Sequence, residues 1–77
     1  MLQPTIEQRI ICLLAAKGPM PANDLRDEII VELGNSRDFK IFRETEKKHG
    51  EEISDEIRRQ LDNGSLKLVE SFKLSIC

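Results

Sequence analysis

Between Ser36 and Gly50 the chain reads SRDFKIFRETEKKHG, with five basic and three acidic residues and a local charge of +2. Wound as a helix, this stretch projects Lys40, Arg43 and Lys47 to one face, flanked by Arg37 and Lys48. Ammonium and guanidinium groups so arranged are suited to phosphate. Each contact releases condensed counterions, so such a stripe gives binding that falls steeply with salt. The competing use is a solvated helix face whose charges pair internally with Asp38, Glu44 and Glu46.

Other chemistries find no set of residues. His49 is the only histidine, and neither a second His nor a Cys pair stands at metal-ligand spacing, so no metal site is expected. No Ser/His/Asp or Cys/His set is present to activate a nucleophile. The four glycines are scattered at 18, 34, 50 and 64, which excludes a glycine-rich phosphate loop. No enzyme activity and no cofactor are expected. His49, beside Gly50, reads as a helix C-terminal residue favoured by the dipole.

Composition sets the frame for these residues. With 77 residues, 39% apolar and 34% charged, the chain reads as one small domain over residues 1–77, near the lower limit of independent stability. The net charge of −2 opposes non-specific nucleic-acid binding over the whole surface but leaves room for a local basic face. There is no Trp or Tyr, and only three Phe, so base stacking has few candidates. No run approaches the ~20 apolar residues of a membrane span. The first residues lack a basic segment followed by an apolar run, so no signal peptide is expected. Two cysteines, Cys12 and Cys77, make no disulfide framework. Cys12 reads as a small buried hydrophobe and Cys77 as a free end. The expected setting is intracellular, in cytoplasm, nucleus or nucleoid.

The elements that position the basic stripe follow from periodicity. A first helix is expected from about Ile6 to Lys17, opened by a Thr5/Gln8 capping box. Ile6, Ile10, Leu13 and Leu14 form its apolar stripe, widened by Ile11, Cys12, Ala15 and Ala16. Gly18 and Pro19 end it. Pro19-Met20-Pro21 is a stiff connector with room for a short edge strand at Met20. A second helix is expected from about Ala22 to Leu33, with Leu25, Ile29, Ile30 and Leu33 inward and Asp24, Asp27, Glu28 and Glu32 outward. Gly34-Asn35 stops it.

Ser36 is a candidate cap for a third helix anchored by Phe39 and Phe42 and solvated beyond them. A further helix starts between Gly50 and Ser54, with Ser54 a candidate cap, and ends at Asn63. It turns Ile53, Ile57 and Leu61 inward. Its span from Glu51 to Asp62 holds five acids and two arginines, a local charge of −3. After Asn63-Gly64 the period changes to two: Leu66, Leu68, then Phe72, Leu74, Ile76. Two short strands joined by a tight turn explain this alternation. A helix from Ser65 using Leu66, Val69, Phe72 and Ile76 is the competitor. The hairpin is preferred because a lone strand has little to pair with. The expected fold class is mainly α with a small C-terminal β-hairpin, a winged-helix-like domain of three to four helices.

The runs Ile10–Met20, Asp24–Ile29 and Ile57–Val69, closed by Ser71-Phe72-Lys73-Leu74, resemble the winged helix-turn-helix superfamily. The last four residues are similar to the returning wing strand of linker-histone-like members. Three features depart from that pattern: Pro21 stands where a Ser or Thr cap is usual, the connection from Gly34 to about Gly50 is long, and the matching recognition helix is acidic. The resemblance implies that Asp55, Arg58, Arg59 and Asp62 face a major groove, where Arg58 and Arg59 contact guanine or phosphate. Otherwise these arginines pair with Asp55 and Asp62. Lys67 and Lys73 on the wing are candidates for the DNA backbone, although alternation alone puts polar residues there.

Two function classes follow. One is a small DNA-binding transcriptional regulator, homodimeric given its size. The other is a non-enzymatic protein–protein interaction module on the same fold. The superfamily favours the first and the acidic balance favours the second.

Overall fold

The computed structural model describes residues 4–76, so Cys77 lies outside the described residues. Helix α1 spans Ile6–Lys17, strand β1 Met20–Pro21, α2 Ala22–Gly34 and α3 Phe39–Asp62. Strand β2, Leu66–Val69, and strand β3, Lys73–Ile76, follow, joined by a 3₁₀ turn over Glu70–Phe72. The chain is mainly α with a small antiparallel sheet of order β1-β3-β2.

Local chemistry accounts for the helix ends. The Thr5 hydroxyl accepts from Gln8 N at 3.1 Å, and Gln8 Oε1 accepts from Thr5 N at 3.0 Å, so the capping box forms. Asn35 takes the left-handed conformation at the end of α2, with φ 54. Asp38, rather than Ser36, caps α3: its Oδ1 accepts from Lys40 N at 2.9 Å and Ile41 N at 3.3 Å. Ser36 Oγ instead accepts from Asp38 N at 3.0 Å and so braces the cap. Pro21 precedes α2 without any side-chain cap.

The expected break at Gly50 does not occur. One helix of 24 residues runs through it, and Ser54 lies inside that helix rather than at a cap. The connection from α2 is only residues 35–38. The gap in apolar residues between Phe42 and Ile53 is filled by close approach instead. Thr45 and Gly50 are buried against α2. A Cβ on Gly34 would stand 2.8 Å from Thr45 Oγ1, and one on Gly50 would stand 2.6 Å from Arg26 Nη2. With Gly34 beside Thr45 and Arg26 beside Gly50, α2 and α3 run antiparallel as an αα-hairpin.

Nine aliphatic side chains form the core: Ile10, Leu14, Leu25, Ile29, Ile30, Ile53, Ile57, Leu66 and Leu74. Each is worth roughly 1.5–3 kcal/mol relative to full exposure. Helix α1 is less central than its composition implies. Only one side packs, and Cys12, Ala15 and Ala16 are exposed, so Cys12 is not a buried hydrophobe.

The alternation after Gly64 is a hairpin, but Phe72 belongs to its turn and not to its inner face. Phe72 has φ 58 and is 83% exposed. Leu68 lies opposite Leu74 in the register, yet on the outer strand it is 58% exposed. Phe39 likewise fails to anchor α3: it is 73% exposed, and the half-buried Phe42 packs on the core in its place.

Candidate nucleic-acid interface

Continuity of α3 puts the basic stripe and the expected recognition residues on one helix. At 100° per residue, Lys40, Lys47 and Arg58 fall within about 20° of a single line. Lys40 and Arg58 are separated by five turns, roughly 27 Å along the axis. Arg43 stands beside this line, its guanidinium 5.6 Å from the centroid of the Phe39 ring. That contact holds the Arg43 head near the first turn of α3.

The same periodicity separates other candidates from the line. Glu44, Glu51, Asp55 and Asp62 lie about 20–60° round the helix on one side, with Glu51 as near to the line as Lys47 is on the other. Lys48 and Arg59 lie on the far side of these acids. Arg37 sits in the α2–α3 connection with Nη2 3.7 Å from Glu28 Oε2. Lys67 and Lys73 are exposed on β2 and β3, on the sheet face opposite Leu66 and Leu74.

Ion pairing divides the cations further. Among the described residues, ion pairs engage Arg9, Lys17, Arg26, Arg37 and Arg59. Lys40, Arg43, Lys47, Lys48, Arg58, Lys67 and Lys73 take part in none of them. Arg58 therefore does not pair with Asp55 or Asp62, and the stripe does not pair with Asp38, Glu44 or Glu46. Arg59 is the opposite case. It bonds Glu56 on its own helix and reaches Glu7 of α1 at 2.9 Å. The hydrogen bond and charge of Glu56, assisted by Glu7, raise the Arg59 pKa further above its ordinary value. Arg59 is thus a strap between α1 and α3.

His49 is not at a helix C-terminus. It lies in the middle of α3, with Nδ1 3.5 Å from Glu52 Oε2, so the dipole argument does not apply to it. Among the described residues no helix is long and apolar enough to cross a membrane, and no group of three or more His, Cys, Asp or Glu is placed to hold a metal ion.

One further feature has no signature in the sequence. Met20, Val31, Phe39 and Phe42 line an open groove of about 520 Å³ along the outer side of α2, edged by Asp24 and Asp27. The spacing of Phe39 and Phe42 had placed both rings in the core. Phe39, the first residue of α3, faces solvent instead.

No family model, curated protein or solved structure matches this chain.

Proposed function

We propose that this chain is a winged-helix DNA-binding module, a small transcriptional regulator that contacts duplex phosphate through the basic line of α3. The observation that carries this reading is the pairing pattern. Among the described residues, the seven Lys and Arg side chains that join no ion pair all belong to α3 or the hairpin. Cations without a local carboxylate partner keep their charge and N–H donors available to phosphate. The element order, three helices with a short strand after the first and a closing hairpin, agrees with the resemblance. The connection of residues 35–38 also removes the long-linker departure from it.

Lys40, Arg43, Lys47 and Arg58 are the principal contacts, with Lys67 and Lys73 auxiliary on the wing. Lys48, Arg37 and Arg59 are peripheral. Four phosphate contacts give a salt slope of about −3.6. The neighbouring acids restrict the approach of DNA to one flank of the helix.

Fluorescence anisotropy with a short duplex at ~50 mM salt tests this, since phosphate contacts are strongest at low salt. Binding that weakens steeply with salt is expected. Lys40→Glu with Lys47→Glu should weaken it and lower the slope by about 2. Absence of binding at low salt would sink the reading. A protein-interaction module is the second reading, favoured by the exposure of Phe39, Leu68 and Phe72.

A further inference from the structure

Two apolar surfaces have no partner within the chain. The first is the groove along α2, where Met20, Val31, Phe39 and Phe42 are joined in the lining by Arg37 and by acids of α2. Its rim carries uncompensated negative charge. Glu28 is neutralised by Lys17 at 3.4 Å and Arg37 at 3.7 Å. Asp24 and Asp27 join no ion pair among the described residues. The groove thus mixes apolar side chains with a small net negative charge, Asp24, Asp27 and Glu28 against Lys17 and Arg37.

The second surface is the tip of the β2–β3 hairpin. Phe72 projects from it in a left-handed backbone conformation, a rare state for a bulky residue, with its ring almost fully in water. Leu68 is exposed beside it. Lys67 and Lys73 project from the sheet face opposite Leu68, and Glu70 leaves the tip at +1. The hairpin end thus combines an exposed aromatic ring with one basic face. With Phe72 83% exposed, this tip and the groove do not meet within one molecule.

We propose that the hairpin tip of one copy docks in the α2 groove of a second copy. Phe72 enters beside Phe39 and Phe42, and Lys73 and Lys67 meet Asp24 and Asp27. The occupant is this chain itself, because the chain carries both halves of the match, opposite in charge and alike in polarity. Exchanged reciprocally about a two-fold axis, two tips fill two grooves and the assembly closes as a dimer. Arg43 contributes by stacking on Phe39 and holding the groove wall. The contact shares Arg43, Lys67 and Lys73 with the proposed DNA surface but does not use Lys40, Lys47 or Arg58, so variants at Lys40 and Lys47 separate the two.

Sedimentation equilibrium of the full chain, from micromolar to millimolar concentration, tests this. A reversible monomer–dimer equilibrium is expected. Phe72→Asp and Asp27→Lys should each weaken it by about tenfold or more. Both positions are exposed, and circular dichroism should confirm an unchanged fold. Reversing both sides together, Asp24→Lys and Asp27→Lys with Lys67→Glu and Lys73→Glu, should restore the dimer. Three results would overturn the proposal: a monomer at every concentration, a dimer indifferent to Phe72→Asp, or no recovery on double charge reversal. Loss of DNA binding in Lys40→Glu with Lys47→Glu leaves this equilibrium unmoved, so the two readings fail separately.

Discussion

The guanidinium of Arg26 occupies the space over Gly50 that a side chain there would need. Its Nη2 stands 2.6 Å from the position of a Cβ, while its Nη1 donates to Glu46 at 3.0 Å. A flexible cation from α2 thus covers a glycine in the middle of α3, and the two helices close over it. Gly34 makes the reverse contact, against the short and stiff Thr45, with a Cβ position 2.8 Å from Oγ1.

These two glycines should respond differently to alanine. In Gly50→Ala the end of Arg26 swings aside, and the gain in helix propensity of up to about 1 kcal/mol offsets the weakened Arg26–Glu46 pair. Stability should change little or rise. In Gly34→Ala the β-branched, buried Thr45 cannot retreat, and overpacking should cost about 1–3 kcal/mol. Urea denaturation of both variants checks this. Equal losses in the two would contradict the argument.

Glu51→Pro tests the continuity of α3. Were a helix to begin near Gly50, proline at its first turn would be tolerated. Within an uninterrupted helix it removes a hydrogen bond and clashes with the preceding turn, costing about 3 kcal/mol. A loss of that size is expected in thermal or urea unfolding.

Arg58→Ala and Arg59→Ala should separate binding from structure. Arg59→Ala breaks the link to Glu56 and Glu7, so it should lower the melting temperature slightly, and less so in high salt. DNA affinity should stay near that of the parent. Arg58→Ala should leave the melting temperature unchanged and reduce the salt slope of binding by about 1. The two residues are adjacent in sequence, so a shared phenotype would argue against this division.

Asp38→Ala removes the acceptor for two backbone donors at the start of α3. A loss of about 1 kcal/mol is expected, close to the usual value for an N-cap. Ser36→Ala should cost less, because its hydroxyl bonds only the Asp38 amide. Paired calorimetric scans would rank them.

The bounds of α1, its capping box, the edge strand at Met20 and the closing hairpin were legible because each has a local signature. The unity of α3 was not. Its middle touches α2 through Thr45 and Gly50, which give no hydrophobic signal, and glycine reads as a stop. Phe72 continued an alternating pattern, and no glycine marked the turn in which it lies. The cations of the candidate interface were legible as charges. Their division into free and held was not, since Arg59 is bound by Glu7, 52 positions away.

The two borders of the sheet are unequal. On one side β1 is two residues long, and two of residues 19–21 are prolines without an N–H. That border cannot template another strand. On the other side β2 is four residues long, and alternate residues along it turn their N–H and C=O outward. Strand addition can therefore happen once, at β2, and cannot repeat. A pair of molecules joined that way would leave only proline borders outside, so the fold is protected from growing into a fibre by the same connector that turns α1 into α2.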